Sequence, residues 1–102
     1  MSLYIDNNNL VVRNGTKQTI PSKNILVGDI VFLSKGVTAP ADGILIEGDL
    51  IVGLLFLSPY QESKQNIDRS GDPFVRGGHR VVEGNKKMLV LAVGKYSFAG
   101  FV

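Results

Sequence analysis

Residues 27–46 read VGDIVFLSKGVTAPADGILI, and this stretch decides the fold class of the chain. Its apolar residues come in two short blocks, 30–33 and 44–46, which are rich in β-branched side chains and too short for helices. The residues between the blocks, at 35–36 and 40–43, are typical of tight turns. The pattern predicts two β-strands joined by a turning segment.

A hairpin is predicted on the N-terminal side of this stretch. Residues 10–13 form the first strand, and Asn14-Gly15 follows as a type I′ turn, because both residues tolerate a positive φ. Residues 17–20 return as the second strand. Pro21 ends that strand, since it has no backbone donor for the ladder.

Further strands are predicted at residues 50–52, 80–84 and 87–93, the last two as a hairpin that turns near Asn85. Residues 58–73 are polar and lack a period, so we expect an exposed loop. Short strands at this spacing predict an all-β domain, a distorted jelly roll or β-sandwich with little helix. We expect one core, with contributions from Ile30, Phe32, Ile44, Ile46, Val90 and Ala92.

Length and composition limit what the domain can do. The chain has 102 residues, of which 44% are hydrophobic, enough for one modest core. It has no cysteine, one histidine, and 11 basic residues scattered among 9 acidic ones. These counts exclude a disulfide framework and Cys-His chemistry and give little support to nucleic-acid binding. The longest uncharged run, residues 50–61, is too short to span a bilayer as a helix, and no secretory signal is visible.

Residues with catalytic potential are few. His79, beside two glycines, is expected to be a surface turn residue. The glycine-rich residues 76–78 lack the Gly-Lys-Ser/Thr of a nucleotide-binding loop. Asp42, Glu47 and Asp49 lie on predicted turns, where carboxylates commonly accept hydrogen bonds from backbone amides. Taken singly, these residues predict no catalytic chemistry.

The order of short motifs along the chain is more specific than any one of them. In sequence they are VGDIV at 27–31, KG at 35–36, PADG at 40–43, EGDL at 47–50, DPF at 72–74, VEG at 82–84 and AVG at 92–94. This order resembles the actuator domain of P-type cation-transporting ATPases, and its ending is most similar to the plasma-membrane type of calcium pump. The resemblance implies that residues 1–9 are a tail or linker and residues 10–102 the actuator domain.

One segment departs from the family pattern. Where the family has Val-Asp-Glu-Ser and then Leu-Thr-Gly-Glu-Ser, residues 52–63 read VGLLFLSPYQES. If Leu57-Ser58 is aligned with Leu-Thr, the family's glycine and glutamate fall on Pro59 and Tyr60, and the carboxylate is lost. If Glu62-Ser63 is aligned with Glu-Ser, a carboxylate survives in a lengthened loop. We favour the second alignment.

The second alignment retains Ser58, Glu62 and Ser63 as the catalytic element that the resemblance implies. Glu62 would position the water that hydrolyses an aspartyl-phosphate held by another domain. The alternative is that Glu62 is a solvated surface acid and that the dephosphorylation loop is degenerate. The resemblance places ATP and magnesium in the parent protein and no cofactor in this domain.

The resemblance also implies the partners of the domain. These are the phosphorylation and nucleotide-binding domains of the same chain and the membrane helices of the parent. The parent would be an integral membrane protein with this domain on its cytoplasmic side. We expect no nucleic-acid partner, a monomeric fragment, and no ATP turnover by the fragment alone.

Two other classes of small β domain are alternatives. A lipoyl- or biotin-carrier domain also has a Val-Gly-Asp-Ile-Val type of strand, and Lys86-Lys87-Met88 is similar to its modified lysine beside methionine. That motif has methionine on both sides of the lysine, which is not the case here. A small RNA-binding barrel would need exposed aromatic residues among basic ones on one face.

Overall fold

The computed structural model describes residues 8–54 and 63–93. Over these residues it contains nine strands and a single 3-10 helix at Ser22–Asn24. The strands are β1 (Asn8–Arg13), β2 (Thr16–Pro21), β3 (Ile30–Ser34), β4 (Asp42–Leu45), β5 (Asp49–Leu54), β6 (Ser63–Asp68), β7 (Phe74–Val75), β8 (Arg80–Glu83) and β9 (Asn85–Ala92). No helix in this part of the chain is long and apolar enough to cross a bilayer.

The strands form two antiparallel sheets. One has six strands in the order β2-β1-β3-β9-β4-β7, and the other has three in the order β6-β5-β8. Side chains from both sheets fill a common core, which includes Val31, Leu33, Met88 and Val90 from the first sheet and Leu50, Val52, Ile67 and Val81 from the second. The predicted all-β sandwich with little helix is therefore confirmed.

The predicted hairpin at Asn14-Gly15 is also confirmed. Both turn residues have positive φ, 52° for Asn14 and 75° for Gly15, as a type I′ turn requires. β1 and β2 pair over their full lengths, and β2 ends at Pro21 as expected. β1 begins at Asn8, so the sheet includes two residues of the segment expected to be a tail.

The prediction of the core was largely wrong in its choice of face. Val90 is buried as expected, but the other five side chains are half-buried or exposed: Ile30, Phe32, Ile44, Ile46 and Ala92. Their neighbours Val31, Leu33 and Leu45 are fully buried instead. Because both faces of β3 and β4 carry apolar residues, the alternation of residue types does not show which face is covered.

Phe32 illustrates how an apolar side chain is accommodated on the outer face. Its ring lies between Lys17 of β2 and Lys87 of β9, whose Nζ atoms are each 5.2 Å from the ring centroid. The two lysine stems shield the ring while their ammonium groups remain in water, and the cations are attracted to its π face. The outer position of Phe32 is thus stabilised without burial in the core.

The predicted hairpin near Asn85 is wrong. β8 and β9 follow one another on either side of Gly84, but β8 pairs with β5 while β9 pairs with β3 and β4. Gly84 has a φ of 117°, and a Cβ at this position would lie 2.7 Å from Leu50 Cδ1. Glycine is needed here because the chain passes from one sheet to the other in a single residue.

The expectation of a loop over residues 58–73 is wrong for residues 63–68, which form β6, and is confirmed for residues 69–73, which lie in turn and irregular structure. β6 pairs with β5 over six residues, and Ile67 in β6 is fully buried. β6 is an edge strand whose exposed residues 64–66 are polar, and one apolar residue gives no visible alternation. Composition alone therefore resembles that of a loop.

Candidate functional site

The predicted catalytic residues belong to the end of the β5–β6 hairpin. Leu54 at the end of β5 lies opposite Ser63 at the start of β6, so the two ends of the connection 55–62 are neighbours in the sheet. Ser58 and Glu62 are within this connection and lie outside the described residues. Of the three predicted site residues, the structure thus places the backbone of Ser63.

The hairpin that carries this connection is firmly anchored. β5 is the central strand of its sheet, with β6 on one side and β8 on the other. Leu50 and Val52 of β5 are at most 1% exposed and pack in the core with Ile67 and Val81 from the two flanking strands. The described part of the hairpin is therefore a rigid frame on either side of the connection.

The aspartate of the Val27-Gly28-Asp29 motif has a structural role. Asp29 is 3% exposed and accepts hydrogen bonds from Arg13 Nε at 2.8 Å and Arg13 Nη2 at 2.7 Å. It also accepts a bond from the backbone N–H of Leu26 at 2.9 Å. The hydrogen bonds from Arg13 lower the pKa of Asp29, although burial opposes this. The carboxylate fixes the entrance to β3 and is engaged on both oxygens.

His79 differs from the expected surface residue. It does follow the turn at 77–78, but it is 1% exposed, and its Nδ1 accepts a hydrogen bond from the backbone N–H of Arg76 at 3.2 Å. Burial lowers the pKa of His79, and the charge of Arg76 lowers it further, against weaker opposing effects of Asp42 and Asp72. The neutral imidazole therefore stabilises the turn that leads into β8.

Asp42 is the first residue of β4 and does not lie in the predicted turn, but its carboxylate accepts a hydrogen bond from a backbone amide as expected. Its Oδ1 accepts a 2.7 Å hydrogen bond from the backbone N–H of Gly77, which joins the start of β4 to the turn before β8. Within residues 8–54 and 63–93, no group of three histidine or acidic side chains is arranged to hold a metal ion. Asp29 and Asp42 thus serve the scaffold, since each carboxylate holds a backbone N–H of a neighbouring segment.

Comparison with known proteins identifies the family. Residues 4–102 match the family model of the P-type ATPase actuator domain. The chain belongs to this family. The β-sandwich described above is therefore the fold of an actuator domain.

Similar proteins include several plasma-membrane calcium pumps. The actuator domain is 40% identical over 94 residues to plasma membrane calcium-transporting ATPase 1 of Gallus gallus, an alignment that covers 90% of this chain and 8% of that protein. It is 42% identical over 85 residues to calcium-transporting ATPase 8, plasma membrane-type, of Arabidopsis thaliana, covering 82% of this chain and 8% of that protein. The chain thus spans less than a tenth of the length of these relatives.

Solved structures share the fold. The actuator domain superposes on part of one crystal structure of a zinc-transporting PIB-type ATPase with a TM-score of 0.72 and 20% identity, covering 99% of this chain and 16% of that one. A second crystal structure of such a pump, in the E2·Pi state, gives a TM-score of 0.70 and 19% identity, covering 92% and 15%. The lipoyl-carrier and RNA-binding alternatives are not favoured.

Sequence reasoning missed part of the surroundings of the connection 55–62. Lys64 of β6 and Arg80 of β8 pair with Gly53 from opposite sides, next to the residue at which β5 ends. Both side chains are exposed. The sequence does not predict that Lys64 and Arg80 lie close together, because their proximity depends on the order of strands in the sheet.

Proposed function

We propose that this actuator domain belongs to a P-type cation-transporting ATPase of the plasma-membrane calcium-pump type. In that protein it would rotate to couple hydrolysis of an aspartyl-phosphate to ion transport. The observation that carries the proposal is that the β5–β6 hairpin, whose ends at Leu54 and Ser63 lie opposite one another, is anchored in a domain that is about 40% identical to calcium pumps. A rigid β domain transmits a rotation without absorbing it, while a connection at its edge carries the chemistry.

The partners in this proposal are other parts of the same polypeptide. They are the phosphorylation domain, the nucleotide-binding domain and the membrane helices of an integral membrane protein, with the actuator domain on the cytoplasmic side. ATP and magnesium act in the other domains, and this domain binds no cofactor. The large remainder of the relatives' length beyond this match gives room for such segments.

Within the domain, Glu62 is the proposed group that orients the attacking water. A carboxylate that does this must lie within hydrogen-bond reach of that water, so its loop has to be held in place. Ser58 and Ser63 flank it in the sequence, and Ser63 starts a strand that is paired along its whole length. This pairing supports the proposal, because it provides Glu62 with a fixed neighbour.

The test is the decay of the phosphoenzyme in the full-length protein. The substitution Glu62→Gln preserves size and removes the charge, so the phosphoenzyme should still form from radiolabelled ATP and then decay roughly a hundredfold more slowly. Tyr60→Gly is the matched control in the same connection and should decay at least as fast as the unmodified protein. Unchanged decay in Glu62→Gln would show that Glu62 is only a surface acid.

A further inference from the structure

Two cationic side chains flank one glycine on the outer face of the three-stranded sheet. Gly53 of β5 pairs with Lys64 of β6 on one side and with Arg80 of β8 on the other. Residues directly opposite one another in an antiparallel sheet point to the same face. Since the adjacent Val52 is buried in the core, the side chains of Lys64 and Arg80 point to the opposite face, where both are exposed, while Gly53 between them is buried.

The two cations are available to a common anion. Gly53 has no side chain between them, and the two flanking strands are about 10 Å apart, twice the usual spacing of neighbouring strands. Lysine and arginine side chains are long enough to converge across such a gap. Among the described residues, the side chain of neither Lys64 nor Arg80 takes part in a salt bridge or hydrogen bond.

The charge on this face changes sign along the strands. At the end remote from the connection 55–62, Asp49 of β5 lies opposite Asp68 of β6. Glu83 of β8 lies opposite Ile51, between the two ends. Lys64 and Arg80 therefore lie next to the connection, whereas Asp49 and Asp68 lie at the far end and Glu83 lies between, so an anion that approaches the connection meets the cations first.

We propose that Lys64 and Arg80 form a cationic clamp that docks on the phosphorylated site of the neighbouring domain, an anionic surface made of the phosphoryl group and carboxylates. The inference rests on the proposed function, in which the connection 55–62 approaches that site. The clamp residues are positioning residues: they hold the β5–β6 hairpin against the anion while Glu62 acts on the water. Complementary charges of this kind set the rate and register of docking.

The test uses the full-length protein with Lys64 and Arg80 both replaced by glutamine. Phosphoenzyme should form from ATP as in the unmodified protein, but it should decay about tenfold more slowly, because docking has lost its electrostatic attraction. The decay should also become less sensitive to salt, since exposed charges are screened by ions. The charge-preserving pair Lys64→Arg and Arg80→Lys should restore decay. Lys35→Gln, at an exposed turn after β3, is the control and should change nothing.

Parallel measurement of Glu62→Gln separates this inference from the proposed function. If Glu62→Gln prolongs the phosphoenzyme while the double glutamine variant decays normally at low and high salt, the clamp is refuted and the proposed function stands. The clamp would also be refuted if phosphoenzyme decay were slowed equally in the double glutamine variant and in the charge-preserving double variant. If Glu62→Gln decays normally while the double glutamine variant decays slowly and with less sensitivity to salt than the unmodified protein, the clamp stands and the role of Glu62 falls.

Discussion

The hairpins β1–β2 and β5–β6 have strands of the same length and pairing, but the connections between their strands differ in length. Each has six residues in either strand, paired in register along its full length, and each places one strand at the edge of a sheet. β1–β2 is closed by two residues, Asn14-Gly15, whereas β5–β6 is joined by residues 55–62. Two residues with positive φ are sufficient to reverse the chain, so reversal alone does not account for the additional length in the second hairpin, and we propose that this length serves function.

The difference in length distinguishes a connection that only reverses the chain from one that we propose has a function. Where a connection only reverses the chain, the shortest turn that matches the twist of the strands is sufficient. Where a connection is longer, the strands still set its two ends, and surface connections commonly carry the residues that bind partners. The comparison of the two hairpins holds only if β6, like β2, is anchored to the core of the domain.

The largest effect should come from removing Ile67, the buried side chain among residues 64–68 of β6. Ile67→Ala empties a site that is 0% exposed and should lower the free energy of unfolding by about 2–5 kcal/mol. Urea unfolding of the 102-residue chain, followed by circular dichroism, measures this change. Asn66→Ala, at the adjacent exposed position, should change it by less than about 0.5 kcal/mol. Similar values for the two variants would show that β6 is not anchored in the core.

A smaller decrease in the free energy of unfolding should come from a substitution in the turn that joins β1 and β2. Gly15 has a φ of 75°, so Gly15→Ala should destabilise the chain by about 1–2 kcal/mol, although a Cβ there meets no other atom. Gly71→Ala is the control, because Gly71 lies in a turn without a positive φ and a Cβ there would make only an ordinary contact with Asp68. The same unfolding assay distinguishes them. If both substitutions are neutral, the Asn14-Gly15 turn does not determine the hairpin.

The sequence predicted those elements of the fold that depend on local chemistry. Asn14-Gly15 was identified as a turn because both residues tolerate the backbone angles it needs. The choice between Ile30 and Val31 as core residues could not be made in the same way, since both faces of β3 are apolar. The separation of β8 and β9 into different sheets depends on pairing with distant strands, which a local pattern around Gly84 does not contain.

In the candidate site, too, local motifs could be read from the sequence, whereas contacts between distant strands could not. Ser58, Glu62 and Ser63 were proposed as site residues from an ordered set of motifs, and the structure places the backbone of Ser63 at the start of β6. Lys64 and Arg80 could not be associated from the sequence, because β5 lies between their strands. Likewise, the burial of His79 follows from contacts that the two neighbouring glycines do not reveal.

The central claim is that residues 55–62 serve the phosphorylated partner domain and are not needed for the fold. Its most direct test replaces residues 55–62 with Asn-Gly in the full-length protein, so that β5–β6 closes as β1–β2 does, and measures the decay of the phosphoenzyme. We expect the phosphoenzyme to form from ATP and to decay at least about a hundredfold more slowly than in the unmodified protein. Decay at the unmodified rate would contradict the account.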